Sequence, residues 1–219
     1  MPVGAIDGIS SSIESVLSDS RSSKETKAAT WASGFQTVLA SALSQANIVL
    51  NIVGTLCNTV PSPTPYAAPE PPFVGLYDTA AFYSSIESGM LDLWSKDPST
   101  GTALSYATDE ANLYADAIFT LLSTGVFTMT AHTGTVSITC SPKTEMRTAM
   151  IPLLTAVYLA VDSSPSAYAV KANAIAAAMN TTFQTWFPKA VFSGTAELVN
   201  TTGMPLGQLS PGAITGAYA

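Results

Sequence analysis

Charge is what this sequence has least of. Ionic side chains make up 11% of its 219 residues, where roughly 25% is usual for a globular domain. Beyond Arg147 the acidic and basic side chains are Asp162, Lys171, Lys189 and Glu197 alone. The exterior of that stretch must therefore be Ala, Ser, Thr, Asn and apolar groups. Such a surface is easily desolvated, because burying Thr or Ala against a partner costs far less than burying Lys or Glu. No basic stripe is present: Arg21, Lys24 and Lys27 alternate with Asp19 and Glu25, and the net charge is −7. Binding of nucleic acid through a basic patch is thereby disfavoured, as is attraction to anionic membranes.

Histidine and cysteine are scarce too. His132, the single histidine, stands with Thr133 and Gly134 between the β-like runs Val126–Thr130 and Thr135–Cys140. That context predicts an exposed hairpin tip, not the partnered imidazole that a triad or zinc site needs. Cys57 and Cys140 lie far apart and show no metal spacing. They read as buried reduced thiols, with pairing in an oxidising compartment left open. G-x-S-x-G, H-E-x-x-H, C-x-x-C, P-loop and G-x-G-x-x-G signatures are all missing. The nearest carboxylate pairs are Asp109 or Glu110 with Asp116, and Glu87 with Asp92. They are expected on solvated helix faces, with Asp109 and Glu110 near a helix start where the dipole favours acids. No catalytic, cofactor-binding or metal-ligating residue is assigned, and no cofactor is expected.

Long apolar runs are absent as well. Ile48–Cys57 and Ile151–Val161 fall short of the roughly 20 residues that a membrane span needs. The N-terminus lacks the cationic start and apolar core of a secretory leader. Without such a leader, Asn180-Thr181-Thr182 and Asn200-Thr201-Thr202 read as chance matches to the glycosylation pattern.

Proline, by contrast, is concentrated. Half of the segment 61–72, PSPTPYAAPEPP, is proline, which predicts an extended strap rather than a helix or central strand. Phe73, Tyr77, Phe82 and Tyr83 follow it and are expected to dock it on the core; a carbohydrate-stacking platform is the alternative. The chain thus divides into 1–60 (helix plus short strand), 61–72 (strap), 73–203 (helical core with small β elements) and 204–219. That last stretch is glycine-rich and uncharged, and is expected to be flexible or to wrap a partner.

Elsewhere the apolar spacing is mainly helical. Helices are predicted over 23–44, 76–94, 103–123, 142–161 and 165–187. Ser22 and Glu25 suggest a capping box for the first; Ser141-Pro142 and Ser164-Pro165 read as helix starts. Short strands are predicted near 48–53, 126–140 and 190–199. The expected core is Trp31, Phe35, Leu39, Leu113, Ile118, Leu121, Leu154, Val157, Ile175, Met179, Phe183 and Trp186. Tyr158 and Tyr168 are also expected to line it, with exposed ring stacking as the alternative. The fold class is α+β, dominated by a helical bundle with a small sheet or hairpin and the proline strap.

Ala/Thr-rich helices leading into strands such as Val191-Phe192-Ser193-Gly194-Thr195 loosely resemble structural proteins of tailed bacteriophages, in neck, tail or baseplate positions. The resemblance is one of style over most of the chain. It implies a non-enzymatic subunit, a homo-oligomer in contact with other particle proteins, assembled in the host cytoplasm and located in the virion. It implies no cofactor; the short apolar runs argue separately against stable membrane insertion. Two other classes stay open: a membrane-active or pore-forming protein, and an enzyme or carbohydrate-binding module with an unrecognised site. On the subunit reading, deleting 203–219 would spare the monomer fold and weaken assembly.

Overall fold

The structure, a computed structural model, describes residues 6–56, 64–96, 101–160, 165–199 and 205–218. Cys57, Ser164, Asn200 and residues 61–63 of the strap lie outside them. The fold is α+β and mainly helical: a helical bundle against a five-stranded antiparallel sheet.

The helices are α1 (Ser10–Ser18), α2 (Lys24–Ser44), α3 (Thr79–Ser95), α4 (Ala103–Ser123), α5 (Lys143–Leu159) and α6 (Pro165–Trp186). Each predicted helix is present; side-chain caps open α2, α3 and α4, whereas α5 starts after Pro142, itself the N-cap, without one, so Ser141 is not the cap expected. Ser23, one residue later than expected, accepts the Thr26 N–H and opens α2. Asp78 accepts from Ala80 and Ala81 at the start of α3. Thr102 and Ser105 form a reciprocal box at the start of α4, which leaves Asp109 well inside that helix. Helix α1 was not predicted, although Ile6, Ile9, Ile13 and Val16 follow a helical spacing and are all buried. It lies so close to α2 that a Cβ on Gly34 would stand 2.1 Å from Ser12 Oγ.

One apolar core joins the segments on both sides of the strap. Phe35 of α2 meets Phe82 of α3 edge-on at 5.1 Å and Tyr114 of α4 at 5.4 Å. Of the twelve expected core residues, eleven are buried and Leu113 packs half-buried at the margin.

The strands are β1 (Ile48–Leu56), β2 (Thr64–Pro69), β3 (His132–Thr139), β4 (Val191–Val199) and β5 (Pro205–Tyr218), in the spatial order β2-β1-β5-β4-β3. Strand β2 comes from the proline strap and lies at an edge, where Pro65 and Pro69 interrupt pairing on its outer side at least cost. The segment expected as a tail is instead β5, the central strand. It pairs along β1 from Ile48↔Tyr218 to Leu56↔Leu209, and along β4 from Val191↔Ala217 to Val199↔Pro205. Deleting it would divide the sheet, so the expectation that its loss spares the monomer is reversed.

The hairpin expected around His132 is also absent. Val126 makes a single antiparallel bridge to Leu76, and residues 127–131 run without strand pairing before β3 begins at His132.

Even-numbered residues face inward across the sheet. Ile48, Leu50, Ile52, Phe192, Ala196 and Ile214 are buried there with Phe127. This second core meets the helical one at Tyr218, whose ring stacks on Phe187 at 4.1 Å.

Candidate functional site

Three places in the fold concentrate chemistry or exposed surface.

The first is a buried pair. His132 Nδ1 and Glu70 Oε2 are 2.6 Å apart, with side chains 2% and 0% exposed. Glu70 Oε1 accepts from the N–H of Thr130, from the Thr130 hydroxyl and from the N–H of Ala131. Burial pushes the Glu70 carboxyl up, but the His132 contact and these donors outweigh it and hold it below the usual range. His132 is therefore no hairpin-tip residue. Glu70 follows β2, and its N–H still bonds Leu50 O of β1 at 2.9 Å. His132 opens β3, at the opposite edge. In a flat five-stranded sheet those edges stand roughly 19 Å apart. The pair therefore ties together the edges of a strongly curled sheet. A carboxylate holding an imidazole is also the orienting half of a catalytic triad. Here the ring is enclosed, 2% exposed, and joins the two edges of the sheet.

The second place lies where α1 to α6 converge. A cleft of about 410 Å³ is lined by Trp31, Trp94, Tyr106, Tyr158 and Ile175, with Lys96 and Lys171 at its polar positions. Trp31 and Trp94 meet edge-on at 5.7 Å. Behind the wall lies Glu110, 1% exposed. Its two oxygens accept the hydroxyls of Tyr114 and Tyr158, each at 2.6 Å. Trp31 Nε1 in turn donates to the Tyr114 hydroxyl at 3.1 Å. Burial raises the Glu110 carboxyl above its usual range despite the two tyrosines and Lys171. The expectation of a solvated Glu110 is thus overturned. Its backbone position on α4 suggested an exposed face, and only the packing of α5 over it shows otherwise.

The remaining acidic candidates are dispersed. Asp109 pairs with Lys96 at 2.9 Å, Asp116 with Lys143 at 2.7 Å and Asp92 with Lys96 at 3.7 Å. Glu87 accepts the Tyr83 hydroxyl at 3.2 Å. No group of acidic, His or Cys side chains among the described residues could hold a metal ion. Cys140 is a free, half-buried thiol, pushed up to about 11 by burial. Asn180 Oδ1 accepts the Ile6 N–H at 2.9 Å and so holds the N-terminal segment on α6.

The third place is the outer face of the sheet. The register aligns Thr139, Val191, Ala217 and Val49 in one row, and Ser137, Ser193, Thr215, Asn51 and Pro69 in the next. Thr135, Thr195, Val53 and Ala67 belong to a third. Val53 is 54% exposed and Val191 51%. Not one described side chain in these rows is charged. Hydroxyls bond along the face, as in Thr135 Oγ1 to Thr195 Oγ1 at 3.1 Å. The β3 edge of this face carries neither proline nor an acidic or basic side chain, and among the described residues β4 is its one strand partner. It lacks the devices that usually protect an edge strand.

No protein family, curated protein or solved structure matches this chain. Among the described residues no helix is long and apolar enough to cross a membrane.

Proposed function

We propose that this protein is a structural subunit, acting by packing against copies of itself and neighbouring proteins in a large particle. The tailed-phage virion that its style resembles is the proposed setting. The observation that carries this reading is the outer sheet face, whose described side chains are uncharged in all three rows. A face exposed to water throughout its life ordinarily carries interspersed Lys and Glu. Thr, Ser, Val and Ala desolvate at little cost and allow close backbone approach. The bare β3 edge offers strand addition in the same plane. The sheet is anchored internally by the Glu70–His132 pair and by β5, so its outer side is free to serve as a rigid contact plate.

The test is native mass in solution. Sedimentation of the full chain is expected to give a concentration-dependent oligomer. Placing charge in the centre of the face, as Ser193→Lys, should reduce it to monomer while the circular-dichroism spectrum of the folded chain is kept, since this position is exposed. A wild-type chain that stays monomeric at high concentration would overturn the reading.

A further inference from the structure

We propose that the aromatic cleft among the six helices binds a small anionic amphiphile, a single carboxylate joined to an apolar chain or ring. The inference goes beyond the assembly reading and does not depend on it.

The shape comes first. At about 410 Å³ the cleft falls in the roughly 300–1,000 Å³ range of small-ligand sites. Indole and phenol rings from four different helices form its walls, with Ile175 beside them. Such rings hold an apolar body at little entropic cost, because helix packing has already fixed them.

The polar groups then select the head. Among the described residues, Lys96 and Lys171 are the charged side chains that line the cleft, and no carboxylate does. The two differ in what they already hold. Lys96 is engaged by Asp109 at 2.9 Å and Asp92 at 3.7 Å. Lys171 is half-buried and has neither a hydrogen bond nor an ion pair among the described residues. Its contact is the Tyr158 ring, whose centroid lies 5.1 Å from Nζ. An ammonium has three donors, and a π-face satisfies them poorly. The nearest buried carboxylate does not take them, since both Glu110 oxygens are occupied by the Tyr114 and Tyr158 hydroxyls. Those same bonds fix the Tyr158 ring under Lys171. Glu110 is thus a positioning residue for the wall rather than a ligand contact. A carboxylate arriving from solvent would meet a preplaced cation with open donors, and its apolar part would lie along Trp31 and Trp94.

The experiment uses the full chain with decanoate and decyltrimethylammonium below their micelle concentrations and decanol below its solubility limit. Binding is read by titration calorimetry and by tryptophan fluorescence. Decanoate should bind saturably, one per chain, with a change in emission. Lys171→Met should weaken decanoate about tenfold or more, the loss expected for a charge-assisted hydrogen bond, while decanol binding shifts less than about twofold by the same reasoning. Lys171→Arg should restore decanoate, and Trp94→Ala should weaken both ligands. Absence of saturable decanoate binding to the wild type overturns the site. Equal decanoate affinity in wild type and Lys171→Met, or tighter binding of the cationic amphiphile, overturns the ligand class.

Discussion

The hydroxyls of Tyr77 and Tyr218 meet at 2.6 Å, 141 positions apart in the chain. Tyr77 precedes α3, and Tyr218 ends β5. Their contact closes the sheet onto the helices. Burial pushes the Tyr77 phenol up to about 12, and that of Tyr218 also rises through burial and the neighbouring phenol. Both stay protonated, and the bond persists over the physiological range. Tyr218→Phe should cost about 1 kcal/mol, a typical net hydrogen bond, read in a denaturant melt. Removing 205–219 should abolish the cooperative transition altogether, because β1 and β4 lose their shared partner. A native-like melt of that truncated chain would show that β5 is dispensable.

Glu70→Ala should be among the most damaging single changes, at about 3 kcal/mol or more, because it leaves the buried His132 ring and the N–H groups of Thr130 and Ala131 without their acceptor, at about 1–3 kcal/mol for each buried polar group left unsatisfied. The pH dependence has a definite sign. The folded-state carboxyl lies below its ordinary value of 4.5. Its contribution is complete above 4.5 and is lost as pH falls through the depressed folded value. The gap in melting temperature between wild type and Glu70→Gln should therefore narrow in acid. A gap independent of pH would assign the effect to shape alone.

Glu110 should behave in the opposite sense. Its folded-state carboxyl is raised by burial, so its protonated form is favoured in the fold. Stability from this group is present below its ordinary value of 4.5 and is lost as pH rises through the raised folded value. Wild type should lose stability relative to Glu110→Gln across that rise. Glu110→Ala would strip the acceptor from a buried phenol, Tyr114, and a half-buried one, Tyr158. It should cost about 2–6 kcal/mol, taking about 1–3 for each group left unsatisfied.

Gly134 holds φ 151, a backbone setting that other residues rarely adopt. A Cβ there would lie 2.0 Å from the Thr195 carbonyl oxygen. Gly134→Ala should cost at least about 2 kcal/mol, combining backbone strain with displacement of β4. A chemical melt would measure it; a neutral result would mean that β3 slides to accommodate the methyl.

Local chemistry made much of the fold legible in advance. Apolar residues at helical spacing buried Trp31, Phe35, Ile118, Met179 and Phe183 as expected, because periodicity and burial are one property of an amphipathic helix. The clustered prolines likewise limited residues 64–69 to an edge strand, since proline cannot donate to a central ladder. What the sequence could not carry was pairing at long range. Nothing near His132 announces Glu70, and nothing near Glu110 announces Tyr158, because their contacts depend on how the sheet curls and how α5 crosses α4. The uncharged glycine-rich end looks like a tail when its local propensity is read alone. It becomes the central strand because β1 and β4 each leave an edge that only another strand can satisfy, and that requirement exists in the tertiary structure alone.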